Sequence, residues 1–193
     1  MGKKLISFLG CAFLFTAVSL TSISAKAVVA ELGLFYFTDD LSSTSSISHS
    51  RTIYDFAVLM TSEGKRLLGI GWNYVGATSD DVTTATTSYS STETGPKFTY
   101  MFGSNQDWYL GLAYNLLAKA QFSDANGSAE WRGTSLKAEF GFLPKITSRI
   151  NAGVKLNYHQ ASYNEQITNT TTLTQTTNTK TMIYPTFSLV FKF

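Results

Sequence analysis

Apolar side chains recur at every second residue of the final stretch, Tyr184 to Phe193. Phe187, Leu189, Phe191 and Phe193 alternate there with Thr186, Ser188, Val190 and Lys192. A period of two is the mark of a β-strand with one greasy face, and that face needs an apolar surface to cover it. Eight segments of this kind are found, approximately Ala30–Thr38, Arg51–Thr61, Arg66–Val75, Gly95–Gly103, Trp108–Ala120, Trp131–Phe142, Arg149–Tyr163 and Met182–Phe193. Most are close to the roughly 9–11 residues that a tilted strand needs to cross a bilayer. Strands cross a membrane only as a closed barrel, where every backbone N–H and C=O finds a partner within the sheet.

The connections alternate in kind. Ser62-Glu63-Gly64-Lys65, Ser104-Asn105-Gln106-Asp107 and Leu143-Pro144-Lys145-Ile146-Thr147 are hairpin-length and rich in turn residues. Asp39–Ser50, Gly76–Thr94, Gln121–Glu130 and Asn164–Thr181 are long and dominated by Ser, Thr, Asn and Gly. All short connections thus fall at one end of the sheet and all long ones at the other. Thr83–Thr94 and Thr168–Thr181 are close to low complexity. They lack the apolar content to build a core and are expected to be mobile or loosely ordered.

The first segment reads as an export signal, residues 1–27. Lys3 and Lys4 precede a mostly apolar run, Leu5 to Leu20, and Ala25-Lys26-Ala27 fits a small-residue cleavage site. An anchoring helix is the alternative; the run is slightly short for one. Leu9-Gly10-Cys11 loosely resembles a lipoprotein processing site, but the apolar stretch before it is too short. Cleavage leaves residues 28–193 as a single domain without cysteine, since Cys11 is the chain's one thiol. No disulfide scaffold, Cys-ligated zinc or cysteine nucleophile is then expected. The formal charge of +2 includes Lys3, Lys4 and Lys26, so the remaining chain stands near 2 − 3 = −1. That is no footprint for nucleic acid, and none is expected as a partner.

Splitting the strands by parity separates two faces. One carries Leu32, Leu34, Tyr36, Tyr54, Phe56, Val58, Met60, Leu68, Ile70, Trp72 and Tyr74, and continues around the remaining strands without a formal charge. The other carries Glu31, Asp55, Asn73, Lys97, Asn115, Lys137, Glu139, Asn151, Lys155, Asn157, His159 and Lys192, with Gly33, Gly69, Gly71, Gly111, Gly141 and Gly153. Phe35, Phe37, Leu59, Met101 and Tyr109 lie among them. A soluble lipocalin-type barrel would show the same alternation with the faces exchanged. Aromatics spread over nearly every apolar strand and glycines gathered on the polar face count against it. The charged face therefore points into the barrel.

Charges inside a narrow barrel must be paired. An interior charge network of Glu31, Asp55, Lys97, Lys137, Glu139, Lys155 and Lys192 is expected, with a structural role. Glu31 and Lys192, on the first and last strands, are expected to form a closure ion pair. Lys137, Glu139 and Lys155, on adjacent strands, are expected to form a second cluster.

Catalytic chemistry finds little support. The chain has two histidines, His49 and His159. His159, Ser162 and Glu165 lie near one another, but an offset of three puts His159 and Ser162 on opposite faces of a strand. No catalytic residue, cofactor or metal site is expected. Asp39-Asp40 and Asp80-Asp81 offer oxygen ligands for Ca²⁺ without the spacing of a binding loop. Arg51, Lys119, Arg132 and Lys180 fall near the long-connection ends, where basic groups suit lipopolysaccharide phosphates.

The chain resembles small eight-stranded outer-membrane β-barrel proteins of the OmpA-barrel and OmpX type. The resemblance rests on the strand pattern, the alternating connections and the terminal Phe193. It implies an antiparallel up-and-down transmembrane barrel in the Gram-negative outer membrane, and contact with outer-membrane lipid and lipopolysaccharide. It also implies assembly machinery that reads the Phe193 strand, and a monomeric state. Such barrels serve in structural, adhesive or surface-interaction roles, and some as narrow or gated pores. General porins use sixteen or more strands.

Overall fold

The computed structural model describes residues 27–41, 47–62, 64, 66–82, 86–125, 127–168 and 172–193. Among them run eight strands: β1 (Ala27–Leu41), β2 (Ile47–Thr61), β3 (Leu67–Val82), β4 (Thr86–Phe102), β5 (Trp108–Asp124), β6 (Gly127–Phe142), β7 (Ile150–Thr168) and β8 (Thr172–Lys192). Each is antiparallel to its neighbour in sequence, and β1 pairs with β8, so the sheet closes into an up-and-down barrel. The export segment lies, apart from Ala27, outside the described residues.

Alternation builds the wall. Leu32, Leu34, Phe56, Val58, Ile70, Trp72, Leu110, Leu112, Phe140, Val154, Leu156 and Phe187 are exposed on the outside. Between them Glu31, Asp55, Lys97, Lys137, Glu139 and Lys155 are buried in the lumen. An apolar belt of this extent costs roughly 25 cal/mol per Å² in water and nothing comparable in lipid. At the short-turn end the belt is edged by packed aromatic rings. Tyr100 and Phe102 lie 5.4 Å apart between centroids, Phe102 and Trp108 6.5 Å, and Trp108 and Phe142 5.1 Å. Tyr36, Tyr54, Tyr74, Tyr114 and Tyr158 are exposed toward the other end. The architecture is the expected eight-stranded antiparallel up-and-down barrel, apolar outside and charged within.

The long connections are shorter than expected because the strands run on into them. Gly76–Val82 belongs to β3 and Thr86–Thr94 to β4, paired up to Val82↔Thr86. Asn164–Thr168 belongs to β7 and Thr172–Thr181 to β8, paired up to Thr168↔Thr172. The expectation of loosely ordered Thr83–Thr94 and Thr168–Thr181 is corrected for the described parts of both. A strand in a closed sheet needs partners for its backbone, not a core of its own. Threonine's branched β-carbon favours the extended backbone. The same extension absorbs Asp39–Leu41 and Ile47–Ser50, and most of Gln121–Glu130.

Bulges reset the parity on the way up. The β5 register shifts between Asn115 and Ala118, and Leu116 and Leu117 are both exposed. Beyond the bulge, Ala118 and Ala120 are buried and Lys119 is exposed, where strict alternation would have turned Lys119 inward.

Amide exchange tests the extensions. In detergent micelles, Thr87–Thr94 and Thr177–Thr181 are expected to exchange at least about tenfold more slowly than the Ser104–Asp107 turn. Rates equal to those of the turn would show these segments to be loops.

Candidate functional site

The lumen is organised in layers. In the half toward the short turns lies a cluster of three lysines and three carboxylates. Lys97 Nζ lies 2.7 Å from Glu31 Oε2 and 2.6 Å from Glu139 Oε2. Lys137 Nζ lies 2.9 Å from Asp55 Oδ2 and 2.9 Å from Glu139 Oε1. Lys155 Nζ lies 3.2 Å from Glu139 Oε1, 3.8 Å from Asp55 Oδ1 and 3.9 Å from Glu31 Oε2. Glu139 therefore touches all three ammonium groups. The Tyr109 hydroxyl is within reach of Glu31 at 2.8 Å and Glu139 at 3.1 Å. Formal charges cancel within the cluster.

Two glycines make room for it. A Cβ on Gly33 would meet Asp55 Oδ2 at 2.5 Å, and one on Gly111 would collide with Glu139 Oε2. Leu59, Met101 and Tyr109 close the space on the short-turn side, as parts of one buried apolar cluster.

Lys192 is not part of this arrangement. It sits opposite Val29, two residues before Glu31, and its Nζ donates to Gln106 Oε1 at 2.7 Å. The expected Glu31–Lys192 closure pair is corrected: Glu31 reaches across the lumen to Lys97 instead. The expected separate cluster of Lys137, Glu139 and Lys155 is likewise part of one network. The lumen is narrow enough for strands that are not neighbours to share ions.

Above this cluster lies a polar layer that the sequence reading missed in part. His159 Nε2 lies 2.7 Å from Glu93 Oε2, and the Ser135 hydroxyl donates to the same oxygen. Asn115 Nδ2 donates to Ser135 Oγ at 2.8 Å, and Asn73 Nδ2 to Asn115 Oδ1 at 3.1 Å. Glu93 falls in the Gly76–Thr94 connection by composition, although an even spacing from Lys97 gives it the same inward parity. The carboxylate stands between serine and histidine, so the imidazole does not face the hydroxyl as a base would. Ser162 is exposed while His159 is buried, and the two do not meet.

At the long-hairpin end the lumen becomes aromatic and open. Tyr89 and Tyr163 hydroxyls lie 3.2 Å apart, Trp131 packs on Phe122 and Tyr163, and Lys180 Nζ stands 3.0 Å from the Tyr89 ring centroid. Burial, and then nearby Arg51, pushes the Lys180 ammonium down to about 8. A cavity of about 700 Å³ is lined by Tyr89, Phe122, Asp80, Glu130, Arg132 and Ile167, with several serines. Phe37, read as interior, is 45% exposed at the mouth, its ring 6.2 Å from that of His49.

The four basic residues of the hairpin ends divide. Arg51 and Lys180 share the inward faces of Ile53 and Tyr184, whereas Lys119 and Arg132 are exposed cross-strand partners. Arg132 Nε is 2.5 Å from Glu130. Among the described residues no group of three His, Cys, Asp or Glu side chains is placed to hold a metal ion. The side chains of Asp39 and Asp40 lie outside the described residues.

No protein-family model matches the chain, and no curated protein matches it. Among solved structures it is similar to neisserial surface protein A (NspA), at 14% identity and a TM-score of 0.44, over 86% of this chain and 96% of that one. It is also similar to the outer membrane protease OmpT from Escherichia coli, at 10% identity and a TM-score of 0.42, over 88% and 98% of the two chains. At this distance neither likeness carries a function across.

Deleting the Glu139 carboxylate would strand buried ammonium groups. Glu139→Ala is expected to cost about 3–5 kcal/mol of folding stability, read from urea unfolding followed by heat-modifiable gel migration. Lys192→Ala is expected to cost less than about 1 kcal/mol; equal losses would place Lys192 in the cluster. For Lys180, the folded chain binds fewer protons than the unfolded chain between pH about 8 and 10.5. Its contribution to stability therefore rises with pH through that window. Carbon-13 methyl labels on the lysines are expected to show one resonance titrating near 8 that Lys180→Gln removes.

Proposed function

We propose that the chain is a non-enzymatic outer-membrane barrel whose extended hairpins form a surface for interaction outside the cell. The observation that supports this reading is the neutral ion cluster in a lumen also filled by Leu59, Met101 and Tyr109. Eight strands enclose a lumen that side chains can fill. These groups leave little room for a continuous water column. The strands meanwhile run far beyond the apolar belt. From Tyr158 to Thr168, β7 alone continues for roughly 30 Å of strand.

The outward chemistry of these hairpins is hydroxyl and amide. Thr174, Gln175, Thr177, Thr179 and Thr181 are exposed on β8, and Ser162 and Asn164 on β7. A flat array of such groups suits hydrogen bonding to polar partners. Lys119 and Arg132 add adjacent cations where lipopolysaccharide phosphates would lie. In this reading the chain is exported by a cleaved signal, assembled through the Phe193 strand, and monomeric.

Planar bilayers test the reading directly. The purified barrel is expected to give no reproducible conductance steps. Ion-selective steps would instead make it a narrow pore, and an altered lipid A mass spectrum on expression would make it an enzyme. Replacing Lys119 and Arg132 together by alanine is expected to weaken lipopolysaccharide binding about fivefold, with the difference fading at high salt.

A further inference from the structure

The cavity at the long-hairpin end is built from two cross-strand rows. Thr78, Ser90, Gln121 and Glu130 lie side by side on β3, β4, β5 and β6, each the register partner of the next. Two residues nearer the hairpin tips, Asp80, Ser88, Ser123 and Ser128 repeat the arrangement. All eight line the cavity of about 700 Å³. Parity turns both rows outward, because Val75 and Ala77 on β3, Ser91 and Glu93 on β4, and Ala118 and Ala120 on β5 are buried within. Tyr89, Phe122 and Ala129 form the row between and complete the lining. The Tyr89 hydroxyl and the Phe122 ring are themselves engaged inside, with Tyr163 and Trp131. Thr78 comes roughly 13 Å of strand beyond the exposed Tyr74, which sets the rows clear of the apolar belt.

The chemistry of the two rows is selective. Thr78, Ser88, Ser90, Ser123 and Ser128 bring hydroxyls, Gln121 an amide, and Asp80 and Glu130 carboxylates. Arg132 reaches the cavity from the next outward position of β6, and Glu130 holds it through Nε. Two carboxylates against one guanidinium leave the lining net negative, which disfavours an anion. Among the described residues no three ligating side chains are grouped for a metal ion. An apolar ligand would strip water from hydroxyls and carboxylates without replacing it. A neutral ligand dense in hydroxyls meets every group present. Carboxylates accept, the guanidinium donates, and hydroxyls and the amide do both. The volume lies within the roughly 300–1,000 Å³ of small-molecule sites. Four strands about 4.8 Å apart make each row roughly 14 Å long, which suits several sugar rings end to end.

We propose that this outward cavity binds a neutral oligosaccharide, its hydroxyls donating to Asp80 and Glu130 and exchanging hydrogen bonds with Gln121 and the serines of both rows. Hydrogen bonds to an ionised acceptor are the stronger ones, so Asp80 and Glu130 anchor the ligand and the hydroxyl groups set its register. The inference rests on the surface role proposed above and names the class of partner that role would serve.

The test uses the folded barrel in a sugar-free amine-oxide detergent and an array of immobilised neutral, acidic and amine-bearing oligosaccharides. Saturable binding to a neutral structure is expected, with an affinity that does not change from low to high salt. Mild periodate, which opens vicinal diols, is expected to abolish it. Asp80→Ala with Gln121→Ala is expected to weaken binding about tenfold or more. Ser90→Trp, which fills the middle of a row, is expected to abolish it, and Thr179→Ala, on β8 outside both rows, to leave it unchanged. No neutral binding, a preference for charged glycans that fades with salt, or binding that survives periodate overturns the proposal on the native chain alone, even if a variant fails to fold. Undiminished binding by the folded double variant also overturns it. Lipid-free core oligosaccharide of lipopolysaccharide separates the sources: competition assigns the cavity to a glycan of the same membrane, and its absence to one from outside. A silent array with silent planar bilayers overturns the sugar and leaves the surface role standing, whereas conductance steps overturn the surface role by themselves.

Discussion

Glu139 sits within 2.6–3.2 Å of three buried ammonium groups, and much of the lumen is arranged around that contact. Six ions in a space shut off from water are tolerable only if every charge is matched. Matching them draws on β1, β2, β4, β6 and β7 together, so the cluster ties strands across the barrel as well as along it. The lower lumen is thereby rigid, neutral and filled. It braces the barrel from within.

The upper half obeys a different constraint. There the strands have left the apolar belt, and water can satisfy what the sheet does not. This is why threonine-rich segments with no core of their own still extend as β-hairpins. The aromatic layer of Tyr89, Trp131 and Tyr163 separates the filled lumen from the open mouth. Lys180 stands at that boundary, its ammonium over the Tyr89 ring.

Much of the wall was legible because its rule is local. The eight strand centres follow from alternation, and the inward placement of Glu31, Asp55, Lys97, Lys137, Glu139 and Lys155 follows from the same parity. Parity failed where a bulge intervened, as at Leu116–Leu117, which sends Lys119 outward. Composition misled at Thr86–Thr94 and Thr172–Thr181, because low apolar content argues against a core and says nothing about an edge that finds a partner. Glu93 was missed for that reason, and with it the hydrogen bond to His159.

The sequence by itself determined that the chain is an amphipathic closed sheet, with lipid on one face and charge on the other. That information is carried by neighbours two residues apart. It did not determine which inward groups meet. Glu31 finds Lys97, 66 positions away, rather than Lys192 on the adjoining strand, because a narrow closed lumen brings opposite walls as near as neighbouring ones. Parity is a property of one strand; partnership across the lumen exists only after the barrel has shut.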